Sequence, residues 1–127
     1  MAASLYYGTM APMSRTDRPV YLRLRDLIAA GIIEGTYPEG AMLPSVRAFA
    51  AEQGANPLTV AKAYQQFQDE GLVVVQRGVG LMVAPGAAEA LRAREAERFM
   101  AAEWPEILDR IQLLRIDPAK LIERITA

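Results

Sequence analysis

Leu43-Pro44-Ser45-Val46-Arg47, then Gly54-Ala55-Asn56-Pro57-Leu58-Thr59-Val60, then Glu70-Gly71-Leu72 and Arg77-Gly78-Val79-Gly80: these runs punctuate the chain as helix, tight turn, helix and hairpin. Ser45 precedes a helical run to Gln53 and is a natural N-cap, since its hydroxyl can accept from an orphan amide of the first turn. Val46, Phe49 and Ala50 form the inner face of that helix, and Gly54 closes it. Asn56 caps the next helix and Pro57 takes its first position, where a missing N–H costs nothing. Val60, Ala63, Tyr64 and Phe67 recur at i, i+3, i+4 and i+7 and face inward, and Gly71 ends the helix. Only Ala55 and Asn56 separate Gly54 from Pro57, so the two helices must cross steeply, as in a helix-turn-helix. Leu72 to Gln76 reads as a strand, Arg77 to Gly80 as a glycine-rich tip and Leu81 to Ala84 as the return strand.

Upstream, Val20 to Glu34 places Leu24, Leu27, Ile28, Gly31 and Ile32 on one helix face, with Gly35 just past its end. Tyr37-Pro38-Glu39-Gly40 is a turn, and Ala41-Met42-Leu43 can form a short edge strand. Residues 1–18 show no periodicity and read as a flexible arm. Pro85-Gly86 marks a domain boundary. Beyond it, Ala87 to Arg115 is helical by propensity, with an apolar stripe of Leu91, Phe99, Ile107, Leu108, Ile111 and Leu114. Pro105 should kink or split that helix. Asp117 caps a last helix, with Pro118 at its first position and Leu121, Ile122 and Ile125 inward. The expected fold is mainly α with a small antiparallel β-hairpin. A winged helix-turn-helix domain at 19–86 is followed by a helical dimerisation segment at 87–127.

Composition narrows the chemistry. There is no cysteine, so disulfides and thiolate chemistry are excluded, and no histidine, the commonest general base and metal ligand. Neither an enzyme nor a metal or cofactor site is expected. No apolar run approaches the roughly 20 residues that span a membrane, and the start lacks the pattern of a secretory signal. Net charge is −1, and the acidic and basic residues nearly balance on either side of Gly86. Any nucleic-acid contact therefore rests on a few placed cations rather than on a basic field.

The helix from Pro57 is the candidate reader, because the N-terminal residues of the second helix enter the major groove in such motifs. Its outward residues are Asn56, Pro57, Leu58, Thr59 and Lys62. Thr59 can donate to a base edge or phosphate, Lys62 can bind phosphate or guanine, and Leu58 can only make an apolar contact such as one with a thymine methyl. The helix N-terminus also offers backbone N–H groups to a phosphate. Arg47 sits in the first turn of the preceding helix, where a cation opposes the helix dipole, so an anionic partner is the more plausible reason for it. Ser45 can touch phosphate as well as cap. At the wing tip, glycine lets the backbone approach the minor groove, where arginine is attracted electrostatically.

The order and spacing of these motifs resemble the GntR family of bacterial transcriptional regulators, over roughly Pro19 to Val83. The resemblance implies that Arg47 of Leu-Pro-Ser-x-Arg contacts DNA and that Arg77 and Gly78, with Val79 and Gly80, enter the minor groove. About 40 residues follow Gly86, too few for the large effector domains of some subfamilies, and the tail is similar to the short helical tail of the YtrA subfamily. That likeness implies a cytoplasmic homodimeric repressor of a near-palindromic operator, often for a transport operon. Leu91, Phe99, Trp104, Ile107, Leu108, Ile111, Leu114, Leu121, Ile122 and Ile125 would carry dimerisation. A small effector near Tyr64 or Trp104 is left open. The family pattern Asn-Pro-Asn-Thr is Asn56-Pro57-Leu58-Thr59 here, so operator preference does not carry over. The alternative is a winged-helix protein-interaction module that does not bind DNA.

Overall fold

The computed structural model describes residues 19–127; the arm expected over 1–18 lies outside the described residues. In chain order the elements are α1 (Val20–Ile33), α2 (Val46–Gln53), α3 (Pro57–Asp69), β1 (Val73–Gln76), β2 (Gly80–Val83) and α4 (Ala87–Arg98). A π-helical turn (Phe99–Glu103), α5 (Trp104–Leu113) and α6 (Pro118–Thr126) complete the chain. The described residues fall into two compact units, 19–95 and 96–127.

In the first unit, the inner face of α3 is the centre of the core. Val60, Ala63 and Phe67 have no solvent exposure and Tyr64 is buried beside them, so the 3.6-residue period of the sequence is realised as packing. Leu24, Ile28 and Ile32 of α1 and Phe49 and Ala50 of α2 close on this face, with Val73 and Val83 of the hairpin. The helix starts form as the caps dictate. Ser45 Oγ accepts from Ala48 N at 3.1 Å, and Asn56 Oδ1 accepts from Leu58 N at 2.8 Å. Gly54 ends α2 in the left-handed region at φ 63°, and Ala55 N donates back to Ala50 O at 2.9 Å. That turn reverses the chain within two residues.

The wing is an antiparallel pair in the register Val73↔Val83, Val74↔Met82, Val75↔Leu81 and Gln76↔Gly80. The expected edge strand contributes a single bridge, Met42↔Met82, supported by Leu43 N donating to Leu81 O at 2.8 Å and Val83 N to Ala41 O at 2.9 Å. It ties the segment before α2 to β2.

Two expectations about packing are corrected. Leu27, expected on the inner face of α1, is half exposed, and Arg25 is buried in its place. Periodicity defines a stripe through Leu24, Ile28 and Ile32 but not which flank turns inward. The flank is decided by carboxylates that only the tertiary fold supplies. Arg25 Nη1 lies 3.5 Å from Glu95 and Nη2 4.0 Å from Glu70, with the guanidinium 5.5 Å above the Phe67 ring. Glu70 is also held by Arg94 at 2.8 Å.

The second correction is Leu91, expected at a subunit interface. It has no exposure and belongs, with Ala87, to the core of the first unit. These residues are one helical turn apart on α4, so its first turns seal the winged helix, and this compact unit runs on through Glu95 rather than stopping at Gly86.

In the second unit the expected break at Pro105 is a widening of the helix. Trp104 N donates to Phe99 O, five residues back, so the backbone passes through one π-turn just before the proline that cannot donate. After α5, Arg115 adopts φ 53°, Ile116 N donates to Ile111 O at 3.1 Å, and Arg115 N to Gln112 O at 3.2 Å. That is a Schellman ending with arginine where glycine is usual. Asp117 Oδ1 then accepts from Ala119 N at 3.0 Å to start α6. None of residues 96–127 is buried.

Arg25→Ala is expected to destabilise the first unit by on the order of 3 kcal/mol in urea denaturation, because it leaves Glu70 and Glu95 without their buried partner. Arg25→Met, which refills the volume, is expected to cost clearly less.

Candidate nucleic-acid interface

The packing of α3 fixes what the rest of it presents. With Val60, Ala63, Tyr64 and Phe67 turned inward, Asn56, Pro57, Leu58 and Lys62 are exposed and Thr59 is partly so. Leu58 is 79% exposed, an unusual place for a large aliphatic side chain at the start of a helix. Arg47 projects from the first turn of α2, and Ser45 at its cap is exposed. Among the described residues no carboxylate pairs with Arg47 or Arg77, while Lys62 Nζ sits 4.9 Å from the centroid of the Tyr21 ring. Arg47 therefore makes no salt bridge within these residues.

The first amides of α3 are committed. Pro57 has none, Leu58 N is taken by the Asn56 side chain, and Thr59 N and Val60 N donate to Asn56 O at 3.0 and 3.2 Å. The expectation that this end offers several N–H groups to a phosphate is thus narrowed. What remains is the partial positive charge of the helix end and the side chains.

The wing tip is built by glycine. Val79 N donates to Gln76 O at 2.9 Å across Arg77 and Gly78, and Gly78 has φ 78°, the pattern of a type II turn. Gly80 follows at φ 148°, which L side chains rarely adopt. Arg77 through Gly80 are all exposed, with Val79 at 71%. The tip thus carries one cation and one aliphatic side chain on a backbone free of bulk.

α3 is anchored to the segment before α2 by Tyr64. Its hydroxyl donates to Pro44 O at 2.8 Å and its ring lies 6.0 Å from that of Phe49. Burial, with smaller contributions from Tyr37 and Glu52, raises the Tyr64 phenol above the ordinary tyrosine value. Tyr37 is shifted the same way, by burial and then by Glu52. The Tyr64 hydroxyl is thus already committed within the core. Sequence reasoning also missed Tyr21 and Gln66. Tyr21 donates its hydroxyl to Gln66 Oε1, and Gln66 Nε2 reaches Glu70 Oε2 at 3.3 Å. Neither residue stands out in spacing or composition. Among the described residues, no group of three or more His, Cys, Asp or Glu could hold a metal ion, and no helix is long and apolar enough to cross a membrane.

Residues 20–83 match the family model for bacterial regulatory proteins of the gntR family. The chain belongs to this family. It is 34% identical over 73 residues to the HTH-type transcriptional repressor YtrA of Bacillus subtilis (strain 168), a stretch covering 58% of this chain and 56% of YtrA. The chain thus spans little more than half the length of this curated relative. The fold is that of GntR-family winged-helix regulators. A GntR family transcriptional regulator from Listeria monocytogenes superposes with a TM-score of 0.69 at 25% identity, covering 86% of this chain and 94% of that one. The DNA-binding domain of AraR, solved in complex with operator ORX1, superposes with a TM-score of 0.51 at 25% identity over 57% of this chain and 88% of that one.

Because the Tyr64 proton is held more tightly in the folded state, its stabilisation is complete below the ordinary tyrosine range and is lost as pH rises above about 10. Tyr64→Phe is expected to lower stability at neutral pH by about 1 kcal/mol, the worth of its hydrogen bond. The gap to the parent protein should narrow above about pH 10, which thermal melts across that range would read.

Proposed function

We propose that this GntR-family protein is a sequence-specific regulator that binds double-stranded operator DNA as a homodimer, through the exposed face of α3, the first turn of α2 and the wing tip. The single observation that carries the reading is the set of cations and uncommitted side chains on that surface. Arg47 and Arg77 are exposed without a carboxylate partner among the described residues, and Leu58 and Lys62 are exposed with Thr59 partly so. An unpaired cation in a helix's first turn opposes the dipole and has no stabilising role there. In this reading Leu58, Thr59 and Lys62, with the cap Asn56 and Pro57, face the major groove. Arg47 and Ser45 meet the backbone, and Arg77, Gly78, Val79 and Gly80 enter the minor groove. The AraR domain bound to its operator supports the partner, and the repressor YtrA supports repression as the outcome. Control of a transport operon is the finer expectation attached to YtrA-like relatives.

The tail supports pairing of two copies. Phe99, Ile107, Leu108, Leu114, Ile122 and Ile125 are exposed large apolar residues, and Trp104, Ile111 and Leu121 are only partly covered. Helices of 10 and 9 residues are marginal in water by themselves and need that face buried. A second copy supplies the matching face, and each apolar side chain buried contributes about 1.5–3 kcal/mol. Two winged helices then address half-sites about one helical turn apart on a near-palindrome.

Fluorescence anisotropy with the duplex upstream of the protein's own gene, beside a scrambled duplex at two salt concentrations, tests the DNA reading. Preferential, salt-sensitive binding is expected, and Arg47→Ala and Arg77→Ala should each weaken it by about 1–3 kcal/mol with unchanged thermal melts. Absence of binding to either duplex at low salt would favour a protein-interaction role instead. For the tail, Ile111→Asp with Ile122→Asp should convert the dimer to a monomer in light scattering and weaken operator binding. A parent protein that is already monomeric at tens of micromolar would overturn the pairing.

A further inference from the structure

We infer that Tyr21 is a positioning residue for DNA contact, acting through Lys62. The inference rests on the reading that Lys62 meets DNA. Tyr21 stands in the first turn of α1, outside the helix-turn-helix proper, and is half-buried against the core. It touches α3 twice. Its ring lies under Lys62 Nζ at 4.9 Å, and its hydroxyl donates to Gln66 Oε1. Lys62 and Gln66 are four residues apart, so Tyr21 lies along one row of the reading helix. Gln66 is itself oriented, because its amide nitrogen donates to Glu70 Oε2, which leaves Oε1 to accept from the tyrosine. Glu70 is held in turn by Arg94 at 2.8 Å. The position of the Tyr21 ring is thus set from the core on one side and from α3 on the other.

This arrangement acts on a long, flexible side chain. A lysine side chain loses considerable rotamer freedom when it is fixed on a ligand, and fixing it beforehand removes that loss from the binding step. A cation over an aromatic face is attracted to the ring but keeps N–H groups directed outward. The Lys62 ammonium is therefore ordered on the exposed surface while still able to donate to a phosphate or a guanine edge. Arg47 and Arg77 have no such support among the described residues, so Lys62 is the cation whose position is prepared. A solely structural Tyr21, holding α1 against α3, would stabilise the fold equally whatever side chain stood at position 62.

A double-mutant cycle separates these roles, using a duplex that the protein itself selects from a random-sequence pool. Lys62→Met should weaken binding and lower the salt dependence by about one phosphate contact. Tyr21→Leu should weaken binding about two- to fivefold, as expected for losing an exposed cation–π contact. Tyr21→Phe, which keeps the ring, should bind nearly as the parent does, and Tyr21→Leu in the Lys62→Met background should have no further effect. An independent readout without DNA is the upfield ring-current shift of the Lys62 ε-protons in NMR, expected in the parent and in Tyr21→Phe and absent in Tyr21→Leu. If Lys62→Met binds as the parent does, the reading of Lys62 as a DNA contact fails and the inference falls with it. If Lys62→Met weakens binding but Tyr21→Leu does not, or if Tyr21→Leu weakens it equally in both backgrounds, the positioning role alone is overturned.

Discussion

The burial of one face of α3 is the constraint on which the rest of the winged-helix unit depends. Val60, Ala63 and Phe67 are sealed from water, and α1, α2, the hairpin and the first turns of α4 all supply residues to the cluster around them. A helix has only one face to bury here, so sealing it dictates what its other face can offer. Leu58 and Lys62 are outward because Val60, Ala63 and Tyr64 are inward. The candidate reading surface is thus the geometric complement of the core. The bond from Tyr64 to Pro44 extends this logic to the chain just before α2, the helix whose first turn carries Arg47.

Electrostatics are arranged by position rather than by total. The chain is nearly neutral, yet two pairs of its arginines are placed very differently. Arg25 and Arg94 are spent on Glu70 and Glu95, tying α1, the end of α3 and α4 together. Arg47 and Arg77 project from the first turn of α2 and from the wing tip with no carboxylate partner among the described residues. Such a division lets a protein of small net charge keep local positive potential without a broad basic field that would bind any polyanion.

The two units differ in how they are stabilised. Residues 19–95 have a closed core with satisfied caps at α2 and α3. Residues 96–127 have good local chemistry, with an Asp117 cap and a Schellman ending at Arg115, but no buried residue. Local hydrogen bonds define where such helices begin and end, while their apolar faces remain to be covered. The π-turn before Pro105 fits the same picture, since the backbone accommodates the proline locally.

Local signals were legible in the sequence because they act within a few residues. The caps Ser45, Asn56 and Asp117, the left-handed ends at Gly54 and Gly71, the glycine tip of the wing and the inward period of α3 all appear where the spacing put them. Together they determine the winged helix-turn-helix and the outward set at the start of α3. What depends on residues distant in the chain was decided only by the tertiary structure. Arg25 is buried and Leu27 exposed because Glu70 and Glu95 lie beside α1, more than 40 residues away in sequence. Leu91 belongs to the core rather than to an interface because the first turns of α4 join the cluster built by the other elements, and Lys62 stands over an aromatic ring because Tyr21 arrives from another helix. Periodicity states that a face is apolar; only the arrangement of the other elements states what covers it.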